Sequence, residues 1–592
     1  MRLSDLPSEI ICCIALHIPT ANGITRLAQT CRRIYKVITA EESWLFRAFV
    51  QTRFRTIQTP PYWKDAACAL TSRSRAVDRL GVIGRFVILP ETITRIGIQE
   101  ETRRDNPTMG YRPPIDSYEI WNGESWADRK EVLAWGAGNR LLMRTKQSGK
   151  RHRDSWISFN DVDEPSSHDD ILGLHLLQPE NGKESDTENV IFGRRQGDIR
   201  HIALAPSDAS YKYRKTFRTE GLELNETDLM PGSNPMLCAQ FLQGSTALYH
   251  TSTEEEDVQP FAWIRPARSS RGRKAKILSS SRVAVATMDD KDCLIISNIS
   301  PDGIFPERTI GVPSSVEVVD ELGDSYTCKA ISAMEPLNNH PLAGSPGDVF
   351  LVAWGDRTVR LHDVRSPRSY ETTYEDPTDD NIIYSIRAFG HDRFLVGSGG
   401  NALVKLFDLR CTSYSYLEAQ DPRPKAPSNA SIAHNHGQYP SKDFNIFLST
   451  QPPDGFNRNN HTRRRRATVY PYRGPIYSMS VPSPSSPTVY TGRAGGLIRL
   501  DFASTDDLTG PAKEWYDCNL NLGFDAEMKP EDGSSFFTVA GYERPDPRDL
   551  TTTWKLRKQH SSWKDPRKGV VTGWDHRWEA LEKPGAWRRQ DS

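Results

Sequence analysis

The side chains best suited to bind something are arginines in glycine-bearing turns. Arg194-Arg195, Arg357 and Arg493 occupy corresponding turns of aligned segments, and Arg473 lies just ahead of the apolar run at Ile476. Guanidinium groups offer paired donors that match carboxylate and phosphate oxygens, so such turns gathered on one face would favour an acidic or phosphorylated partner. The alternative is ordinary surface arginine. Asp356 and Asp198 in the same turns are of the type that tightens a turn by accepting backbone N–H groups. No nucleophilic site emerges elsewhere. Gly397-Ser398-Gly399-Gly400 resembles a phosphate cradle but lies between two strand-like runs, so no helix N-terminus is there to help hold an anion. His434-Asn435-His436 and His461 have no cysteine or paired carboxylate at ligand spacing, and neither a metal nor another cofactor is expected. Asp379-Asp380 and Glu254-Glu255-Glu256 read as solvated loop charge. Catalysis is not expected from this chain.

Whatever these arginines do depends on the elements that place them. The chain has 592 residues, 37% hydrophobic and 26% charged, with 76 Lys+Arg against 76 Asp+Glu. A formal net charge of zero argues against a generally basic nucleic-acid binder, and aromatic and basic runs never interleave as a single-strand stacking platform requires. No run of 18 apolar residues occurs, and Asp5 and Glu9 interrupt the N-terminal pattern, so neither a membrane span nor a secretory signal is expected. Nine cysteines without a C-x-x-C pair read as reduced core residues of a cytoplasmic or nuclear protein. Glycine and proline at 40 each, with 14 Trp, 20 Tyr and 21 Phe, favour short aromatic-rich strands joined by turns.

Beyond residue 80 one unit recurs: strand, glycine-bearing tight turn, strand. It is seen at 350–363, 394–408, 488–502 and 190–202, with weaker versions at 281–299 and 536–556. Strand-like runs at 382–386 and 476–481 precede two of the copies. The first two units start roughly 45 residues apart, a spacing that belongs to a propeller blade. Residues 266–280 and 418–466 are polar, rich in Pro, Asn, Ser and Arg, and are expected to be loops that do not pack. The second contains Arg463-Arg464-Arg465-Arg466, readable as a nuclear-import signal, a nucleic-acid contact or a solvated loop.

Residues 1–80 are different. Pro7 opens a short helix running to His17, with acidic Glu9 in its first turn. Ile24, Leu27, Ala28, Cys31, Ile34, Tyr35 and Ile38 follow the spacing of one amphipathic helix. In the first helix Ile10, Cys13, Ile14 and His17 form one stripe and Ile11, Ala15 and Ile18 another. A unit of about 45 residues cannot cover both faces by itself, so a later domain or a second protein must bury one.

The order Leu3, Leu6-Pro7, Glu9-Ile10, Ile14, Leu16, Ile18-Pro19, Leu27, Cys31-Arg32-Arg33, Tyr35 and Trp44 resembles an F-box over about residues 2–46. The repeats resemble degenerate WD repeats, with His362-Asp363 and Phe407-Asp408 in place of the Trp-Asp pair and no clear Gly-His in most units. These resemblances imply a mainly β protein, a seven-bladed WD-repeat-like β-propeller with an N-terminal all-α F-box. The expected organisation is an F-box at 1–48, a helical linker at 49–82 and a propeller at 83–592. Ring closure is expected between early β segments and residues 551–556, so the chain should need its tail beyond about residue 510. Pro60-Pro61 and Tyr62 to Leu70 resemble the helix that fixes an F-box rigidly to a propeller.

The implied function is that of a non-catalytic substrate receptor of an SCF-type cullin-RING ubiquitin ligase. By position, Leu6, Pro7, Ile10, Ile14, Leu27, Cys31 and Ile34 would contact the Skp-family adaptor and, through it, cullin. Arg194, Arg195, Arg357, Arg473 and Arg493 would face the protein substrate. The rival reading is a non-degradative F-box and propeller scaffold or nuclear interaction factor; an RNA-associated role for Arg463 to Arg466 is a third.

Overall fold

The protein, seen in a computed structural model, is described over residues 3–503 apart from short stretches and the longer ones 99–110, 266–273, 411–443 and 449–474; beyond 503, residues 514–515, 536–538, 542–543, 557–559 and 578–580 are described. Its N-terminal helices are α1 (Ser8–His17), α2 (Ala21–Gln29), α3 (Arg32–Thr39), α4 (Trp44–Arg53) and α5 (Trp63–Asp78). The run from Ile24 to Ile38, read as one helix, is two. Thr20 caps α2 by accepting the Gly23 N–H at 3.1 Å. Cys31 is extended backbone, and its sulfur accepts the Ile34 N–H at 3.5 Å to start α3. The apolar spacing survives the break because both helices turn their stripes into one core, where Ile11, Ala15, Ile24, Ala28, Ile34 and Ile38 meet Phe46 and Phe49 of α4. That core carries α4 across the expected boundary at residue 48. Arg53 of α4 donates to the carbonyls of Leu16, His17 and Ile18 at 3.5, 3.3 and 3.1 Å, satisfying acceptors that the end of α1 leaves open.

Seven sheets, each with four antiparallel strands, then close into a propeller; in blades 1 and 2 a fifth strand, Thr94–Gly97 and Asp257–Val258, adds in parallel at the outer edge. With strands lettered a to d from the axis outward, the a strands of blades 1–7 are Ile115–Trp121, Ile171–Leu177, Leu224–Met230, Lys274–Ser279, Ala333–Pro336, Ile383–Phe389 and Ile476–Ser480. Each packs against the next, and the seventh packs against the first. The recurring units at 190–202, 350–363, 394–408 and 488–502 are the b–c hairpins of blades 2, 5, 6 and 7, and that at 281–299 belongs to blade 4.

Closure uses a different partner from the one expected. Ile83–Phe86 is strand d of blade 7 and pairs antiparallel with Gly496–Asp501, setting Gly84 opposite Leu500 and Phe86 opposite Ile498. Ile498 and Leu500 are fully buried, so this hairpin offers the early strand an apolar partner long before residue 551. Residues 551–556 lie outside the described residues. Phe536–Thr538, expected to begin a further repeat, instead adds a strand to the outer edge of Ile83–Phe86.

Two segments expected as loops contain strands. Lys274–Ser279 is strand a of blade 4, with Ala275 and Ile277 buried; its charges mask it in the sequence, since Lys274 and Lys276 pair with Glu226 and Asp228 on strand a of blade 3. Phe444–Phe447 is strand d of blade 6, paired with Leu403–Asp408.

Carboxylates alternate with basic side chains around the axis. Asp116 of blade 1, Asp228 of blade 3 and Glu335 of blade 5 each accept a backbone N–H from strand a of the following blade, at Leu176 (2.8 Å), Ile277 (2.9 Å) and Ala388 (3.2 Å). His175, Lys276 and Arg387 stand beside these amides. Lys276 pairs with Asp228 at 2.7 Å and Arg387 with Glu335 at 3.5 Å. Burial would raise the Asp228 carboxyl, yet Lys276 holds it below the usual carboxylate range. Blade 7 joins blade 1 differently, through the hydroxyls of Ser480 and Ser117 at 2.7 Å.

Candidate functional site

The b–c turns lie where the a strands begin. In successive blades the turn of one meets the start of the next: the Ile171 N–H donates to Gly138 at 2.9 Å, and the Leu224 N–H to Arg195 at 2.8 Å. The aligned turns therefore share one rim, yet their arginines do not converge. Arg194 is 1% exposed; it pairs with Asp161 and donates to the carbonyls of Asn139 (3.1 Å) and Asp169 (2.7 Å), so it ties blade 2 to blade 1 and is not a rim side chain. It is the last residue of strand b, and the side-chain alternation turns it inward. Arg493 is half-buried over the Phe86 ring at 5.6 Å, towards the outside of blade 7, and burial lowers its pKa to about 10. Arg473 lies outside the described residues. Arg195 and Arg357 remain at the rim.

Arg195 reaches the Glu223 carboxylate only at 4.0 Å, with both side chains exposed. Arg357 is half-buried with φ +70°, a left-handed conformation costly for a bulky residue. The matching turns of blades 2 and 3 place Gly197 (φ +96°) and Gly244 (φ +93°) there, closed by the same pair of backbone hydrogen bonds. Asp356 supports the turn as expected: its Oδ1 accepts the Thr358 N–H at 3.3 Å and hydroxyl at 2.7 Å. Asp198 differs, accepting from the Arg200 side chain at 2.9 Å. Blades 2 and 5 stand on opposite sides of the ring, so Arg195 and Arg357 would engage different groups of an extended partner.

On the helical unit an apolar stripe is uncovered. Ile10 is 46% exposed, Ile14 36% and Leu3 42%, and Pro7 and Cys13 are exposed beside them. The 4-3-4 spacing of residues 3, 7, 10 and 14 puts these side chains along one line of α1 and its approach. Ile11 and Ala15, on the other side of α1, are fully buried. Arg33 of α3 holds the approach segment by donating to the carbonyls of Ser4 and Leu6, the second at 2.9 Å. Of the residues expected at an adaptor, Pro7, Ile10 and Ile14 are open, while Leu6, Leu27 and Cys31 are half-buried against the core. Ile34 is 2% exposed and belongs to the interior, because α3 turns it towards Ile11 and Ile24. Tyr35 beside it, at 55% exposure, is open; it stands in the quoted sequence pattern but not in the expected contact set.

Residues 3–46 match the F-box domain family. No curated protein matches the chain at a significant level.

Helix α5 joins the F-box to the ring. Ala67 and Leu70 face the F-box core, whereas Ala66 and Ala69 pack on Trp126 and Ala503, and Ala76 and Val77 on Phe389 and Phe502. Arg73, 5% exposed, donates to the carbonyls of Pro484 (2.7 Å) and Ser486 (2.9 Å) and lies over Phe389 at 5.1 Å. Tyr62 donates to the Gly123 carbonyl. Residues 122–128 and 481–487 are the a–b turns of blades 1 and 7, so α5 sits on the face opposite the b–c rim. Alanines along α5 let the helix approach both bodies closely, and the buried Arg73 fixes it in register. Sequence reading placed such a helix here but did not single out Arg73, whose partners lie more than 400 residues away.

Among the described residues no group of three or more His, Cys, Asp or Glu side chains is arranged to hold a metal ion. His434, His436, His461 and Arg463 to Arg466 lie outside the described residues.

Proposed function

We propose that this chain is the substrate-recognition subunit of an SCF-type ubiquitin ligase, acting in the cytoplasm or nucleus. The F-box binds a Skp-family adaptor and, through it, cullin; the propeller, of degenerate WD-repeat type, captures a protein substrate; the ubiquitin chemistry is done by other subunits. The observation that carries this reading is the stripe of Leu3, Pro7, Ile10 and Ile14, open to solvent on a small domain that α5 holds firmly against the ring. Contiguous exposed apolar side chains of this kind mark protein-binding surfaces. Rigid attachment lets a receptor work by position, because holding a substrate lysine near the charged conjugating enzyme raises its effective concentration. The b–c rim faces away from the F-box, and Arg195 and Arg357 suit acidic or phosphorylated segments there.

The test is the full-length double variant Ile10→Asp, Ile14→Asp. Both side chains are exposed, so the fold should be kept while co-purification of adaptor and cullin falls at least tenfold, as expected when a few anchors dominate an interface. Adaptor and cullin recovered at wild-type levels would refute the assigned face. Adaptor without cullin in the wild-type complex would favour the non-degradative scaffold.

A further inference from the structure

We propose that Ser366 is a phosphorylation site for a proline-directed protein kinase, and that a basic pocket already formed beside it receives the phosphate. Ser366 lies in the c–d turn of blade 5, where Arg365, Pro367, Arg368 and Ser369 are exposed and Ser366 is half-buried. Pro367 follows it directly, removing the next backbone N–H and disfavouring helical backbone at the serine.

The pocket is an open cavity of about 480 Å³ between strand d of blade 4 and this turn, lined by Arg308, Thr309, Arg365, Ser366, Pro367 and Ser369 among others. Arg308 organises it. Its Nη1 donates to the carbonyls of Asp363 (3.1 Å), Val364 (3.0 Å) and Ser366, and its Nη2 to that of Arg368. All four acceptors are neutral, and among the described residues no carboxylate stands within ion-pair distance of Arg308. Its charge is therefore oriented by the very turn that carries Ser366; Asp363 feels it, and its carboxyl is held below the usual range chiefly by Arg365 and in part by Arg308, without a direct ion pair to Arg308. Arg365 adds a second guanidinium, 46% exposed; it donates to both oxygens of Asp363, at 2.9 and 2.8 Å, and stands 3.7 Å from Asp348, carboxylates that a phosphate would share it with. Arg368, 73% exposed, adds a third and meets Glu371 only at 3.6 Å. Ser366 Oγ accepts the Arg368 N–H at 3.2 Å, which leaves the hydroxyl proton free to depart.

The transfer is ordinary phosphoryl chemistry. Ser366 Oγ bonds to the γ-phosphorus of ATP held by the kinase, the bond to the β-phosphate oxygen breaks, ADP leaves, and the kinase's catalytic carboxylate takes the hydroxyl proton. The product carries about −1.5 to −2 charge at pH 7 and three acceptor oxygens. Paired with Arg308 and Arg365, it would fasten the turn to blade 4 and reverse the local charge on the ring face that also bears α5.

The full chain is incubated with a proline-directed kinase and magnesium ATP, the phosphate is located by peptide mapping, and its ionisation is followed by phosphorus NMR. One dominant phosphate is expected on Ser366, absent from Ser366→Ala and kept in Ser369→Ala. Its second ionisation, near pH 6 for a free phosphoserine, should fall by about one unit, a tenfold change. Arg365→Gln, at an exposed position, should return it part of the way and Arg308→Gln further. No incorporation at Ser366, modification of Ser369 in its place, or an ionisation near pH 6 unaffected by Arg365→Gln would overturn the proposal.

Discussion

Replacing Arg357 by glycine should make the ring more stable and its rim a poorer ligand. Arg357 holds φ +70° where blades 2 and 3 use Gly197 and Gly244. A side chain in the left-handed region costs about 1–2 kcal/mol. Glycine removes that cost but gives the unfolded chain extra freedom worth about 0.4–1 kcal/mol. The net gain is on the order of 0.5–1 kcal/mol. On a chain of this size such a gain moves the melting temperature very little, so the local readout is amide exchange in the b–c turn of blade 5. There the Trp354 N–H bonds to Thr358 at 2.9 Å and the Arg357 N–H to Trp354 at 3.1 Å. These amides should exchange about two- to fivefold more slowly in Arg357→Gly. Arg357→Ala, which keeps the strained backbone and loses only the charge, should show no such slowing. Both variants should lose salt-sensitive capture of substrate from proteasome-inhibited cells. Faster exchange in the glycine variant would refute the strain argument, and undiminished capture by both would refute the role given to this arginine.

Three further outcomes follow from the packing. Arg73→Met should leave the Pro484 and Ser486 carbonyls without their buried donor, at about 1–3 kcal/mol each; adaptor binding should persist while solution scattering reports a broader range of F-box positions relative to the ring. His362 is 1% exposed, stacked on Phe350 and hydrogen-bonded by Trp354, and burial lowers its pKa to about 3. Its contribution to stability is complete above the unfolded value of about 6.5 and is lost as pH falls from there towards 3; about 2 kcal/mol should be gone by pH 5, and urea midpoints of His362→Gln should change less between pH 7 and 5 than those of the wild type. A chain ending at residue 510 keeps Ile83–Phe86 paired with Gly496–Asp501 and should remain monodisperse and protease-resistant; aggregation would show that the tail is needed for closure.

Legibility in the sequence followed how local the determining contacts are. The F-box could be read because its two stripes on α1 need only residues within one helix: Ile11 and Ala15 went inward, Ile10 and Ile14 outward. Five b–c hairpins could be read because each is a continuous strand, turn and strand. Blades 1 and 3 were not recognised; their c strands end at Gln147 and His250 without the aspartate that closes those of blades 5, 6 and 7 at Asp363, Asp408 and Asp501. Strand a of blade 4 was hidden because Lys274 and Lys276 read as loop until Glu226 and Asp228 stand opposite them. The rim arginines were located by turn but not by side-chain direction. Arg194 and Arg493 occupy the right ends of the right strands, and what withdraws them is Asp161 in one case and Phe86 in the other, neither of which a linear alignment brings near.

The carboxylates at the axis divide the ring in a way that its outline conceals. Asp116, Asp228 and Glu335 clamp blade 1 to 2, 3 to 4 and 5 to 6, and blade 7 has no partner of this kind. Seven is odd, so this carboxylate pattern leaves three doublets and a singlet. The junctions between doublets are held by side chains instead: His175 meets the Thr227 hydroxyl at 2.8 Å between blades 2 and 3, and Arg282 pairs with Asp348 at 2.5 Å between blades 4 and 5. The singlet is also the blade assembled from both ends of the domain, by Ile83–Phe86 and Ile476–Asp501.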